Sequence, residues 1–506
     1  MASNAAASLK PTWRDPRWLP LAVTTIGSFM SILDSTIVNI ALPSMLRDFK
    51  ADVGNGQLVL TSYILALAIV IPLTGYLGER IGMKRLYVIT LVLFTAGSVL
   101  CGFAWDLPSL IAFRVIQGLG GGMLQPLGMA IVFSMITPLE RGYFMGMLGL
   151  PVLLAPLLGP TVGGYLVQYA SWRWIFLINL PIGLINFGLA AWLLKETERK
   201  VGLRLDTKGF VLGAIAFPSL LLSLSRGAES GWGSPLVVGL LIVGVVAAVT
   251  FVRVELGQSD PMLQLRLFKA PMFRLGVAIQ GVTQFSLFGL QYLLPLFLQT
   301  AHGWGASKTG LVLLPQGIVS FITLNLAGRN YNRFGPRPLV MTGLTALTLT
   351  TIFCTRLTAD TGVVPIIALI ILRGMALGLC GQTIQVVAFN TVPEGQMPRA
   401  TSLMNMFIRV NSSFVTAILT SVLVMSLVLH GAPEGSSIAG GTAPLPFMLR
   451  AFREAFWLQT IITGSGVIMA YFLRDDVLLN WRRERANDAT RETARGASLE
   501  AVGAEE

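Results

Sequence analysis

Fourteen stretches of about 20 mostly apolar residues run through this chain, each long enough to cross roughly 30 Å of hydrocarbon. They fall near residues 18–40, 58–78, 86–104, 109–136, 143–167, 174–194, 209–224, 235–252, 275–298, 309–328, 339–358, 364–392, 400–429 and 454–473. Backbone amides in lipid must find their partners inside the segment, so runs of this length predict helices and an all-α membrane protein. Composition agrees, since 54% hydrophobic and 12% charged residues cannot cover a water-facing surface of 506 residues.

An even number of spans places both termini on one side. The N-terminus, every second loop and the tail hold most of the 37 basic residues, for example Arg80, Lys84 and Arg85, then Arg329, Arg333 and Arg337. Cytoplasmic loops are the basic ones, so the chain is expected to run N-in, C-in. The net charge of +12 follows from that bias and calls for no nucleic acid. The first span is too long for a secretory h-region and no small-residue cleavage site follows it, so it is expected to remain as an anchor. Cys101, Cys354 and Cys380 lie inside apolar runs and imply no disulfide framework. His302 and His430 have no neighbour at ligand spacing, so neither a metal nor a cofactor is expected.

An internal repeat sets the domain organisation. Gly75, Arg80, Gly82, Lys84 and Leu86 recur as Gly328, Arg333, Gly335, Arg337 and Leu339, each displaced by 253 residues. Leu42-Pro43 recurs as Leu294-Pro295, displaced by 252. Two six-span halves with two spans inserted between them explain both displacements. The expected units are a cytoplasmic N-terminus (1–17), an N-terminal six-helix bundle (18–194), a linker with two additional helices (195–274), a C-terminal six-helix bundle (275–473) and a cytoplasmic tail (474–506). Parallel repeats of this kind suit a rocking-bundle transporter with its substrate site between the halves.

Leu33-Asp34-Ser35-Thr36 through Pro43 and the segment Gly75 to Arg85 resemble the span-1 signature and the loop motif between spans 2 and 3 of the fourteen-span drug:proton antiporters of the major facilitator superfamily. Arg114-Val-Ile-Gln117-Gly118 resembles the span-4 motif. Pro156-x-x-Gly159-Pro160-x-x-Gly163-Gly164 resembles the span-5 antiporter motif, and Trp172 to Pro181 the entry to span 6. Glu79 stands where the loop motif usually carries Asp, and Asn411-Ser412-Ser413 where a glycine pair is usual. The resemblance implies the major facilitator fold, with spans 1 and 4 together in the first bundle, and efflux of drugs driven by a proton gradient.

Residue chemistry points the same way. A charge at membrane depth is expensive and functional by default. Asp34 lies roughly 9 Å below the outer end of span 1 and Arg114 roughly 8 Å below that of span 4, at 1.5 Å per residue. A lone acid beside a lone base can alternate between an ion pair and a protonated acid, so Asp34 and Arg114 are the expected proton-coupling pair. Glu79 with Arg80, Lys84 and Arg85 is expected to hold a cytoplasmic gate, with Gly75 and Gly82 shaping that loop. Pro156 and Pro160 are expected to bend span 5, while Gly159, Gly163 and Gly164 let a neighbour approach.

Polar stripes on otherwise apolar helices mark a cavity. Gln280, Gln284 and Gln291 share a face of span 9, Gln382 and Gln385 one of span 12, and Ser402, Asn405 and Arg409 one of span 13. Gln125 continues the Arg114 face, and Phe29, Met30, Tyr63, Phe285 and Phe288 would supply apolar contacts. Intramembrane bases (Arg114, Arg373, Arg409) outnumber the acid, so dications should be poor substrates and neutral, zwitterionic, anionic or singly charged lipophiles better ones. The expected activity is proton-coupled efflux of lipophilic or amphipathic compounds across the bacterial inner membrane; export of one endogenous metabolite or lipid-like product on the same fold is the alternative. Partners are then the lipid bilayer, protons and small molecules, with a monomer as the working unit. A periplasmic adaptor would have the outer loop 430–453 to touch, but that loop reads as a connector. Without paired carboxylates, a His cluster or a phosphate-binding glycine loop, an enzyme is not expected.

Overall fold

The computed structural model describes residues 15–480 apart from 52, 198, 200–205, 259, 434, 435, 439–441 and 477. Among the described residues there is no β-strand. The helices are α1 (Trp18–Phe49), α2 (Val53–Ile81), α3 (Met83–Gly102), α4 (Leu107–Met135), α5 (Arg141–Tyr169), α6 (Trp174–Leu177), α7 (Asn179–Leu193), α8 (Thr207–Ser230), α9 (Pro235–Gly257), α10 (Pro271–Thr300), α11 (Ala306–Phe334), α12 (Pro336–Cys354), α13 (Val363–Asn390), α14 (Met397–Leu429) and α15 (Leu445–Tyr471). Every apolar run coincides with one helix, except that the sixth is broken at Ile178 into α6 and α7. Among the described residues, twelve helical stretches are long and apolar enough to cross a membrane, α6 and α7 counting together. The remaining two, α5 and α15, occupy the fifth and fourteenth runs. Several helices outrun their apolar stretch. α1 continues to Phe49 and α15 begins at Leu445, because polar residues at a helix end are solvated beyond the hydrocarbon.

In the first half α4 lies between α2 and α3, while α1 packs on α4 and α5. In the second half α13 lies between α11 and α12, and α10 packs on α13, α14 and α15. Lipid gives no hydrophobic drive for helices to associate, so close packing through small residues must supply it. A Cβ on Gly97 of α3 would sit 2.6 Å from the Gln117 amide nitrogen, and one on Gly120 of α4 only 2.4 Å from that of Phe94. The α8–α9 hairpin lies across the junction of the halves, with Phe217 and Leu221 of α8 buried against α2 and α14.

The halves meet through α2 against α14 and α5 against α11. The sequence repeat is visible in this geometry. Gly82 (φ 101°) and Gly335 (φ 84°) both hold positive-φ turns between the second and third helices of their halves, a backbone region that favours glycine. Gly75 and Gly328 both bring backbones of opposite halves together: a Cβ on Gly75 would meet the Pro398 carbonyl at 2.6 Å, and one on Gly328 the Gly142 carbonyl at 2.3 Å.

Candidate functional site: a buried ion-pair cluster beside a central cavity

Asp34 sits midway along α1 with its side chain fully enclosed. Arg114 of α4 donates from Nη1 to Asp34 Oδ2 at 2.5 Å. Two amides complete the cluster: Gln117 donates to Asp34 Oδ1 at 2.8 Å and Asn179 at 3.2 Å. Arg114 also donates to Gln117 Oε1 at 2.7 Å and to the Val59 carbonyl, and it lies 4.0 Å from the centre of the Tyr63 ring. Asn179 reaches the acid because the sixth span breaks just before it, and it also donates to Ser98 at 3.0 Å. The equal depths of Asp34 and Arg114 therefore become direct contact, while Gln117 and Asn179 enter as donors that charge counting alone does not find.

The second half holds an image of this cluster without its acid. Ser286, displaced by 252 from Asp34, accepts from Arg373 through both its carbonyl and its hydroxyl. Thr351, displaced by 253 from Ser98, is Arg373's other partner, and Gln459 of α15 donates to the Ser286 carbonyl at 2.8 Å. Arg373 is fully buried, and all of these partners are neutral.

At the end of the molecule carrying residues 79–85, polar contacts join the halves. Arg399 of α14 donates to Glu79 Oε2 at 2.7 Å and to the Pro261 carbonyl at 3.1 Å. Arg141 of α5 donates to the Phe389 carbonyl at 2.8 Å and to Asn390, while Asn332 donates to the Leu139 carbonyl. Glu79 thus engages a base of the other half. Arg80 is exposed, Lys84 is half-buried, and Arg85 lies 3.5 Å from Glu196 in the segment after α7. Glu79, on the last turn of α2, points into the junction, and the chain turns sharply at Gly82 before Lys84 and Arg85. At the same end Arg17 binds Glu140 at 2.8 Å, and its hydrogen bond to Asp15 holds that carboxyl below the usual carboxylate range.

Between the halves lies a cavity of about 1060 Å³, walled by α1, α4, α5, α10, α11, α13 and α14. Its lining runs from Leu148, Gly149 and Leu324, beside the junction just described, to Thr161, Pro295 and Leu311 toward the opposite end. Gln125, Gln284, Phe288, Gln291, Gln382, Asn405 and Arg409 all line it, together with Gln280 and Gln385. Five expected residues do not: Phe29, Met30, Tyr63, Phe285, which packs into the core of the second half, and Ser402, which is fully buried. Met30 and Tyr63 are buried inside the first half, where the Tyr63 hydroxyl meets that of Ser31 at 3.2 Å and its ring covers Arg114. Phe29 also lies off the wall, and Ser28, Ile32, Ser35 and Thr36 are the α1 residues that face the cavity. The reason is rotational: α1 buries two faces, one on the bundle interior and one on the cavity, and Met30 shares the first with Asp34.

In the span-5 motif, Gly159 packs on Thr36 and Gly163 on Ile37, both in α1, while Gly164 faces open space. The side chains of Pro156 and Pro160 lie outside the described residues. Across this segment α5 is helical from Arg141 to Tyr169.

The profile of the Major Facilitator Superfamily matches residues 24–416. The chain belongs to this superfamily. The uncharacterized MFS-type transporter YhcA of Bacillus subtilis (strain 168) is 33% identical over 436 residues, covering 86% of this chain and 81% of the relative. MdtD of Serratia proteamaculans (strain 568), named provisionally as a multidrug resistance protein, is 33% identical over 411 residues, covering 81% of this chain and 86% of its own. Among solved structures, the human organic anion transporter MFSD10 matches with a TM-score of 0.64 at 16% identity, covering 91% of this chain and 100% of that one. A double-Trp mutant of XylE matches with a TM-score of 0.62 at 16% identity, covering 90% and 95%. These two show a shared fold. The protein is a multi-pass membrane transporter and not an enzyme.

Proposed function

We propose that this transporter exports lipophilic and amphipathic small molecules in exchange for protons, working as a monomer in the bacterial plasma membrane. In this reading all fourteen helical stretches span the bilayer, both termini and the 79–85 loop face the cytoplasm, and residues 18–194 and 275–473 form the two bundles. The structure then corresponds to an outward-facing state. Glu79–Arg399 and the Arg141 contacts close the cytoplasmic end, and the cavity widens away from them.

One observation carries the proton assignment: a carboxylate at mid-helix, Asp34, is sealed from the cavity and held by Arg114, Gln117 and Asn179. An ionised carboxylate in that place depends on its donors, and a protonated one does not. Protonation from outside would release Arg114 and loosen α1 against α4. Loss of the proton to the cytoplasm would restore the pair and reset the halves. The driving force is adequate, since one charge crossing the membrane is worth about 2.3 kcal/mol per 100 mV. Support for substrate breadth comes from the amide-studded apolar wall, which fixes no single shape, and from the MdtD relative's name.

The test is a panel of lipophilic compounds given to proteoliposomes that enclose a pH-reporting dye. Substrates should move protons through the wild type and not through Asp34→Asn. Proton flux that survives Asp34→Asn removes the assignment.

A further inference from the structure

The cavity wall is unusual in its charge. Among the described residues lining it Arg409 alone is charged, and no carboxylate faces the space. The Arg409 guanidinium makes no hydrogen bond or ion pair with any described residue, although it lies on a partly buried helix face. A base left without a partner beside a largely apolar surface is normally neutralised by an acid, by burial of its stem or by what binds there. Behind the same wall, one turn before Leu377 and Gly378, the hydrogen-bond partners of Arg373 among the described residues are Ser286 and Thr351. The Asp34–Arg114 pair in the other half cancels itself. The field inside the cavity is therefore positive, and low-dielectric walls focus it.

We propose that the preferred cargo is an amphipathic organic monoanion whose carboxylate, sulfonate or phosphate group docks on Arg409, with its apolar body along Phe288, Leu287 and Met129. This rests on the cavity being the transport site, as in the preceding reading, and narrows its substrate class. Arg409 offers the planar fork that fits an oxyanion with two hydrogen bonds. The side-chain amides of Gln284, Gln291 and Gln382 surround the space and turn their NH2 groups toward an acceptor by rotation alone. At about 1060 Å³ the cavity accommodates a drug-sized molecule and the water around its acid group. Exchange then carries twice the charge of a neutral cargo. One proton in and one monoanion out move two charges in the direction that an inside-negative potential favours.

Pyrenebutanoate, its neutral amide and the matching butyltrimethylammonium compound form a probe set with one apolar body and an anionic, neutral or cationic head group. Their affinities for the full-length protein in nanodiscs are read by energy transfer from tryptophan to pyrene. The acid should bind at least tenfold more tightly than the amide, and the cation more weakly than either. Arg409→Gln should abolish the difference between acid and amide, and Arg409→Lys should keep part of it. Asn405→Asp sets an acid one turn from Arg409 and should invert the order toward the cation, which provides a check if Arg409→Gln fails to purify. Equal affinities in the wild type, a preference for the cation, or an acid preference untouched by Arg409→Gln would each overturn the proposal. Equilibrium binding needs no proton gradient, so this outcome is separate from that of the coupling test. Acid-selective binding without proton-driven movement sinks only the antiport reading. Proton-driven movement of neutral compounds without acid selectivity sinks only this one.

Discussion

Glu79 and Arg399 belong to different halves of the chain, lie 320 residues apart in sequence, and meet at 2.7 Å with side chains only 5% and 7% exposed. A buried pair of this kind is costly to break from one side, because the remaining charge stays desolvated; losses of about 3–5 kcal/mol are typical. The pair therefore weights one arrangement of the halves over others.

Arg399→Ala is expected to shift the protein away from the arrangement closed at the 79–85 end, and Glu79→Gln to do so less. The double charge swap Glu79→Arg with Arg399→Glu should recover most of the closed population. Spin-label distances between residues placed on α2 and α14 at that end report it. Non-additivity of more than about 1 kcal/mol in the double-mutant cycle is the expected sign of direct coupling.

Two glycines should separate folding from conformational balance. A methyl on Gly120 would run into the α3 backbone at Phe94 within the first half, so Gly120→Ala should lower thermal stability in every state. A methyl on Gly75 would meet the Pro398 and Arg399 backbone across the junction. Gly75→Ala is expected to leave the halves intact and force them apart at that end, so melting temperature should change little while the spin-label distance grows.

Ser286→Asp supplies the acid that the second half lacks beside Arg373. With that charge cancelled, anionic probes should lose several-fold in affinity and cationic ones gain, without any change on the cavity wall itself. The pyrene series measures this, and Ser286→Asn serves as the neutral control.

Much of the architecture was readable from residues alone, because hydrocarbon imposes a length and a polarity that a sequence displays directly. The repeat was readable as well, since Gly82 and Gly335 are required by the same turn. Asp34 and Arg114 stood out because charges inside apolar runs are scarce. Gln117 and Asn179 appeared only inside motif segments, since a single amide, unlike a stripe of them, does not show which neighbour it serves. Arg399 was hidden among bases that set orientation, and only the packing of α2 on α14 distinguishes it from them. The cavity stripes on α10, α13 and α14 were legible because those helices have one wet face. On α1 the inward and cavity-facing sides both pack against protein, so periodicity could not assign Phe29 or Met30 between core and wall, and Tyr63 of α2 turns inward onto Arg114.

Proton-driven transport with and without the α1 carboxylate tests the account most directly. In proteoliposomes under an imposed pH gradient, the wild type should accumulate a substrate against its concentration gradient. Asp34→Asn should bind the same substrate and equilibrate it without accumulation. Uphill accumulation by Asp34→Asn at the wild-type rate would contradict the account.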